Sequence, residues 1–262
     1  MPDALASGIR IAYDDAGDDE PTLLFLPGWC VNRGIFAGLV ARTREHHRSL
    51  ALDWRGHGES AAPQGDFGME ELVRNAAAVV EASRADRVVP VALAHAGWVA
   101  IELRRRMGRR IPKLVLLGWI VTEAPLPFLE ALRGMQSPEH WRESVDRILA
   151  AWLHDAENEE LTRFVHEEIA AYGHDMWARA ARAIEAAYVR EHSPLDALSG
   201  LEPSIPVLHL YSQPADDAYL KAQQAFGAGH PWFRVRRLAA RSHFPMFETP
   251  DEIAEAILRF VE

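Results

Sequence analysis

Residues 91–98 read Val-Ala-Leu-Ala-His-Ala-Gly-Trp, and this stretch decides the fold. It continues an apolar run, residues 87–93, and it leads into a helix-like run, residues 97–107. Small residues on both sides of Ala94 let a strand turn sharply into a helix without steric conflict. The stretch therefore predicts a buried strand, a tight turn at Ala94 and a helix.

The pattern small-x-nucleophile-x-small at such a turn resembles the nucleophile elbow of α/β-hydrolases. Ala94 occupies the position at which a serine hydrolase carries its nucleophile. A methyl group cannot attack a carbonyl carbon. The sequence therefore predicts a hydrolase-like scaffold without acyl-enzyme chemistry.

The rest of the chain alternates apolar runs with amphipathic segments, which predicts a mainly parallel central sheet covered by helices. From residue 124 to residue 198 helical periodicity continues without a strand signal. We predict an α/β fold of the α/β-hydrolase type, with a core of residues 1–123 and 199–262 and an inserted helical cap of residues 124–198. The predicted strands are residues 8–13, 22–26, 49–53, 87–93, 113–117, 207–211 and 233–238, and the predicted helices outside the cap are residues 35–44, 69–82, 97–107, 216–225 and 251–261.

Composition limits the classes of function. The chain has 262 residues and a net charge of −10, which disfavours nucleic acid and anionic membrane surfaces as partners. Its single cysteine, Cys30, excludes an intramolecular disulfide and favours a cytoplasmic location. No apolar run approaches the ~20 residues of a membrane span, and the N-terminus does not read as a signal peptide. The eight tryptophans fit core packing and an aromatic-lined pocket equally well.

Two backbone amides are candidates for an oxyanion hole. The loop Pro27-Gly28-Trp29-Cys30 follows a predicted strand, and His95 follows the elbow position. In this fold these two places supply N–H donors, here those of Trp29 and His95. The segment Asp53-Trp54-Arg55-Gly56-His57-Gly58-Glu59-Ser60 is typical of the scaffold, and we expect its charged residues to hold a turn.

His243 lies between the last predicted strand and the last predicted helix, where the fold delivers its general base. An imidazole suits that role because its pKa lies near neutrality. The acid partner is open. The sequence has Gly118 and Trp119 after one strand, where some relatives carry a carboxylate. Asp216, Asp217 and Glu123 are the remaining candidates, although a helix N-terminus equally explains the two aspartates.

No pattern in the chain predicts a cofactor. It contains no His-x-x-x-His with a nearby acid, no cysteine pair, no dinucleotide-binding glycine loop and no P-loop. We therefore expect neither a metal nor an organic cofactor.

The chain resembles the cofactor-free dioxygenases of the α/β-hydrolase superfamily that cleave 3-hydroxy-4(1H)-quinolones. The resemblance extends from residue 22 to the C-terminus and includes the cap. The matching segments are Leu26-Pro27-Gly28-Trp29-Cys30, Trp54-Arg55-Gly56-His57-Gly58, His95-Ala96-Gly97-Trp98-Val99, Pro138-Glu139-His140-Trp141-Arg142-Glu143, Ala171-Tyr172-Gly173-His174-Asp175-Met176-Trp177, Ile184-Glu185-Ala186-Ala187-Tyr188, Ser193-Pro194, Tyr211-Ser212-Gln213-Pro214, His230-Pro231-Trp232-Phe233 and His243-Phe244-Pro245.

The resemblance implies that His243 takes the proton of the substrate 3-hydroxyl group. The resulting anion reacts with O₂ without metal or flavin, the ring opens, and carbon monoxide and an N-acylanthranilate are released. Trp152 matches a tryptophan of the cap that lines the family's pocket. Three positions differ from the family: Ala94 replaces a serine, Gly118 an aspartate that orients the histidine, and Val31 a histidine.

We therefore predict a cofactor-independent, ring-cleaving dioxygenase with a small aromatic substrate and O₂ as partners. His243 is the predicted base. The predicted oxyanion and substrate-binding residues are Trp29, Val31, Ala94, His95, Gly118, Trp119 and Trp152. Two alternatives stay open: a non-hydrolytic lyase or isomerase that uses His243 alone, and a catalytically silent ligand-binding protein.

Overall fold

The computed structural model describes residues 2–63 and 65–262 and is built around an eight-stranded sheet of order β1-β2-β4-β3-β5-β6-β7-β8. The strands are β1 (Asp3–Ala6), β2 (Ile9–Ala16), β3 (Thr22–Leu26), β4 (Ser49–Leu52), β5 (Val88–Leu93), β6 (Leu114–Leu117), β7 (Val207–Tyr211) and β8 (Phe233–Arg237). The helices are α1 (Ala37–Thr43), α2 (Met69–Ser83), α3 (Ala96–Met107), α4 (Leu126–Gln136), α5 (Trp141–Leu153), α6 (Glu159–Arg163), α7 (His174–Glu191), α8 (Pro194–Ser199), α9 (Asp217–Gly229) and α10 (Pro250–Val261).

The sheet is parallel from β4 to β8 and antiparallel only where β1 pairs with β2 and β2 with β4. Every residue of β3 and β5 is buried, as expected for strands with helices on both faces. The predicted, mainly parallel α/β-hydrolase sheet is therefore confirmed. Strand β1 was not predicted from the sequence, because it is short, amphipathic and at the edge of the sheet.

Most predicted elements outside the cap agree with the structure to within a few residues. The helix predicted from residue 35 is shorter, because Arg33–Phe36 forms a 3₁₀ turn before α1. Helix α10 begins with Pro250 and buries one face through Ile253, Ile257 and Phe260, a spacing typical of an amphipathic helix.

Helices α4 to α8 lie between β6 and β7 in the chain, and α4 packs against α7 and α5. A π-helical segment, Phe164–Ile169, follows α6 directly. We keep residues 124–198 as the proposed cap, with the rest of the chain as the core. No helix in the described part of the chain is long and apolar enough to cross a membrane.

The parallel strands all end at the same edge of the sheet, so the loops that follow them lie close together. The loops after β3, β5, β6 and β8 carry Trp29, Ala94, Gly118 and His243, respectively. Two backbone bonds join neighbouring strand ends: Ala94 N–H donates to the Leu117 carbonyl at 2.8 Å, and Gly118 N–H to the Leu210 carbonyl at 2.9 Å. The fold thus brings residues far apart in sequence to one place.

Candidate active site

Two adjoining cavities lie at the carboxyl edge of the sheet, beneath the cap helices. The outer cavity has a volume of about 340 Å³ and the inner one about 40 Å³. Each residue predicted for the site lines at least one of them. Ala94, His95, Gly118, Trp119, Trp152 and His243 line the outer cavity, and Trp29, Val31, Ala94, His95, Trp152 and His243 line the inner one.

The elbow keeps its strained backbone although it carries no nucleophile. Ala94 has φ +48°, in the left-handed region that residues with a Cβ rarely adopt. Gly97 lets the following helix approach Trp119, since a Cβ at position 97 would lie 2.2 Å from the indole ring. The side chain presented at the tip of the turn is a methyl group, so the turn shapes the cavity and performs no acyl transfer.

The two amides predicted for an oxyanion hole are available. Within the described residues, neither Trp29 N–H nor His95 N–H has a protein acceptor. The neighbouring Cys30 N–H, in contrast, donates to His57 Nε2 at 3.0 Å. Trp29 and His95 can therefore each donate a hydrogen bond to an oxygen atom of a bound molecule, which suits stabilisation of negative charge.

The motif that contains Asp53 and His57 holds a turn, as predicted. The buried Asp53 carboxylate accepts from the N–H groups of Arg33 at 2.7 Å and Glu59 at 2.9 Å. His57 Nδ1 lies 3.0 Å from the Arg55 carbonyl, and burial lowers the pKa of His57 to about 4. His57 is thus a neutral imidazole that donates to Arg55 and accepts from Cys30, which is a structural role.

His243 faces the cavity and is held in place by contacts with Trp152 of the cap. Its backbone N–H donates to the Trp152 carbonyl at 2.8 Å. Its ring stacks on the Trp152 indole, with centroids 4.9 Å apart and planes 13° apart. Burial lowers the pKa of His243 to about 4, so the imidazole is neutral at pH 7 and has a lone pair with which to accept a proton.

None of the three candidate carboxylates serves His243. Asp216 caps α9 by accepting from Tyr219 N–H at 2.8 Å, and Asp217 forms an ion pair with Arg237 at 2.9 Å. Glu123 is exposed and has no bond to the imidazole. Position 118 does face the ring, because a Cβ there would lie 3.9 Å from His243 Nδ1. Among the described residues, therefore, no carboxylate hydrogen-bonds to His243.

The imidazole of His95 is a second basic group in the site, whereas the sequence pattern had pointed only to the His95 amide. The ring stacks on Phe128, with centroids 5.4 Å apart and planes 15° apart. Within the described structure its Nδ1 has no hydrogen-bond partner. Burial, and then the proximity of His243, lower the pKa of His95 to about 3, so both imidazoles are neutral at pH 7.

Several lining residues had not been predicted as part of the site. Phe128 and Ile148 reach both cavities from cap helices, and Gln213 reaches the outer cavity from the loop after β7.

The tryptophans serve both of the roles considered for them, which are packing in the core and lining a pocket. Trp29, Trp119, Trp152 and Trp177 line a cavity, whereas Trp54 packs in the core. In the described part of the chain, no group of three or more His, Cys, Asp or Glu residues is arranged to hold a metal ion.

Comparison with known proteins connects this geometry to a family. The model of the Alpha/beta hydrolase family matches residues 23–256. A 2-heptyl-3-hydroxy-4(1H)-quinolone dioxygenase of Mycobacteroides abscessus is 37% identical over 96% of this chain and 94% of its own length. A 1H-3-hydroxy-4-oxoquinoline 2,4-dioxygenase of Pseudomonas putida is 31% identical over 98% of this chain and 97% of its own length.

Solved structures of quinolone dioxygenases also match this chain, over its whole fold. An AqdC variant, described as bound to its substrate in a study of recognition and ring cleavage of the Pseudomonas quinolone signal, matches with a TM-score of 0.95. It is 34% identical and covers 99% of this chain and 98% of its own. The structure of 1H-3-hydroxy-4-oxoquinoline 2,4-dioxygenase also has a TM-score of 0.95, at 31% identity over 100% of both chains. The chain therefore belongs to the α/β-hydrolase family, in the branch of the 3-hydroxy-4-quinolone 2,4-dioxygenases.

Proposed function

We propose that this protein cleaves the ring of a 3-hydroxy-4(1H)-quinolone with O₂ and releases carbon monoxide. The observation that carries the proposal is a neutral imidazole, His243, facing a cavity whose elbow residue is Ala94. The site thus has a base and lacks a serine nucleophile. The dioxygenases among its relatives support the same reaction class.

The proposed reaction begins with transfer of the 3-hydroxyl proton to His243. The quinolone anion that remains is electron-rich and supplies the electrons that reduce O₂. Both oxygen atoms bond to the substrate, at C2 and C4, and the bonds from C3 to C2 and C4 break. C3 leaves as carbon monoxide with its own oxygen, and the proton from His243 returns to the N-acylanthranilate. All atoms of substrate and O₂ are then present in the two products.

The protein's contribution is deprotonation, orientation and exclusion of water. In this proposal the amides of Trp29 and His95, two residues that line the inner cavity, donate to a substrate oxygen on which negative charge develops. The cavity walls are mostly apolar and aromatic, including Trp119 and Phe128. A volume of about 340 Å³ lies in the range of small-molecule sites, about 300–1,000 Å³.

We further infer that the preferred quinolone carries an alkyl group at C2. Relatives from Mycobacteroides abscessus and Rhodococcus erythropolis act on 2-heptyl-3-hydroxy-4-quinolone. The inner cavity is lined by Leu132, Met135 and Ile184 of the cap and by Val31 of the core, and its volume of about 40 Å³ suits the first carbon atoms of a hydrocarbon chain. Each methylene group that becomes buried there is expected to contribute about 0.8 kcal/mol to binding.

The proposed setting is the cytoplasm, with a quinolone and O₂ as the partners and no nucleic acid. The single cysteine and the net charge of −10 support this setting.

The experiment is oxygen uptake and CO release in metal-free buffer, measured with 3-hydroxy-4-quinolones that carry hydrogen, methyl, pentyl or heptyl at C2. We expect stoichiometric uptake and CO, with kcat/KM rising along the series. The 3-methoxy analogues serve as controls, since they have no proton to transfer. Turnover under strict anaerobiosis would select the lyase or isomerase instead, and saturable binding without product would select the silent binding protein.

A further inference from the structure

The base His243 lacks the carboxylate that fixes the orientation of an imidazole in a Ser-His-Asp triad. Its ring is nevertheless held on two sides by aromatic groups. The Trp152 indole lies parallel to it, with centroids 4.9 Å apart, and the Phe244 ring stands edge-on to it at 5.1 Å. Phe244 also stands edge-on to Trp152, at 5.5 Å. The imidazole therefore packs in a stack whose other members fix its plane.

The backbone around His243 is hydrogen-bonded to the C-terminal end of α5, the end that carries Trp152. His243 N–H donates to the Trp152 carbonyl at 2.8 Å. Gln213 Nε2 lies 2.7 Å from the Arg241 carbonyl and 3.3 Å from the Ala151 carbonyl, so one amide joins the two segments. These bonds fix the backbone at His243 and just before it relative to the end of α5 that carries Trp152.

We propose that Trp152 is a positioning residue for His243. The ring and the carbonyl group of Trp152 orient the imidazole, as a carboxylate does in a Ser-His-Asp triad. The proposal rests on the proposed function only in naming His243 as the base.

A stacked indole differs from a carboxylate in its effect on charge. A carboxylate would stabilise the imidazolium, whereas the indole covers a face of the ring and keeps water away from it. His95 and His154 line the outer cavity together with His243, and the proximity of His243 lowers the pKa of His95. Burial lowers the pKa of His243, so the imidazole is neutral before it takes the substrate proton. Once it takes the substrate proton, the quinolone anion is its counter-charge, which keeps the ion pair together while O₂ reacts.

The test compares Trp152→Leu and Trp152→Phe with a matched control, Ile148→Ala. Ile148 lies one turn earlier on α5, lines the same cavities and is about as buried as Trp152. The first measurement is the titration and tautomer of His243 by ¹⁵N NMR in the substrate-free protein. The second is the separation of kcat from KM for quinolone cleavage.

We expect Trp152→Leu to raise the pKa of His243 from about 4 toward 6.5 and to mix its tautomers. Its kcat should fall by about 10- to 100-fold, the size of effect that misplacement of a reacting group produces. Trp152→Phe keeps a stacking ring, so the pKa and tautomer of His243 should change less than in Trp152→Leu, and kcat should fall less. Ile148→Ala should change KM and leave the titration of His243 as it is.

The proposal is overturned if Trp152→Leu leaves the titration of His243 and kcat unchanged, or if Ile148→Ala moves both as far. The NMR measurement needs no turnover, so it decides the role of Trp152 even if the protein cleaves no quinolone. Absence of oxygen uptake by the wild-type protein would contradict the proposed function alone.

Discussion

At the scale of single residues, the proton transfer depends on His243. His243→Ala removes the base that faces the cavity, and general-base catalysis typically contributes 10²–10⁴-fold, so we expect turnover to fall by about that factor. Ligand binding should persist, because the aromatic walls remain. Steady-state oxygen uptake and fluorescence titration with a quinolone measure the two effects. His46→Ala, at an exposed position, is the control. A His243→Ala protein as fast as wild type would end the assignment.

A substitution at position 118 tests how a carboxylate beside His243 would affect the pKa of that residue. Gly118→Asp places a charge beside His243 Nδ1, and we expect it to raise the pKa of His243 from about 4 because an anion favours the imidazolium. The base is active when neutral, so the acid limb of kcat/KM should move to higher pH. Gly118 has φ +54°, which aspartate and asparagine tolerate better than other side chains.

Gly118→Asn is the matched control, with similar size and no charge. Superimposable pH profiles of the Asp and Asn variants, both folded, would show that a charge at position 118 does not act on His243.

The sequence located the residues of the site better than their interactions. Ala94 and Gly118 were found because each follows a strand whose end is predictable from an apolar run, and His243 was found because it lies between the last predicted strand and the last predicted helix. The acid partner could not be settled, since whether Asp216 caps a helix or meets an imidazole depends on side-chain directions. The stacking of Trp152 on His243 joins the cap to the core, and no local pattern indicates it.

At the scale of elements, the elbow requires a glycine where α3 meets Trp119. In Gly97→Ala the new Cβ would lie 2.2 Å from the indole ring, so we expect overpacking to lower the free energy of unfolding by about 1–3 kcal/mol. Urea denaturation followed by circular dichroism measures the change.

Gly229→Ala is the control, because a Cβ there meets nothing within 4 Å. Equal stability of the Gly97→Ala and Gly229→Ala proteins would contradict the packing described at the elbow.

Predictability also differed between elements. The bounds of β3 and β7 could be read directly, because each is a short apolar run with clear ends. Strand β1 was missed because half of its residues are exposed, and its pairing with β2 comes from tertiary structure. In the cap, helical periodicity predicts a buried face but does not show which residues of that face, such as Phe128 and Ile148, reach the cavity.

At the scale of the whole molecule, buried neutral histidines make stability depend on pH. Burial lowers the pKa of His57, His209 and His243 to about 4, below the ordinary 6.5. Between these values the unfolded chain binds more protons than the folded chain, so the free energy of unfolding must fall as pH falls. Each such histidine contributes a slope of up to about 1.4 kcal/mol per pH unit.

Urea unfolding at a series of pH values from 7 to 4.5 measures that slope. His209 is fully buried and lines neither cavity, so His209→Gln should reduce the slope while His243 stays in place. A free energy of unfolding that stays constant across this range would mean that these histidines are not neutral in the folded protein.

The most direct test of the central claim is the fate of oxygen atoms in ¹⁸O₂ with 2-heptyl-3-hydroxy-4-quinolone and metal-free protein. If a substrate anion formed by His243 reacts with O₂ across C2 and C4, both labelled oxygens must appear in the N-acylanthranilate, and carbon monoxide must be unlabelled. Mass spectrometry of both products gives the answer. An unlabelled organic product, or labelled carbon monoxide, would contradict the reaction proposed for this site.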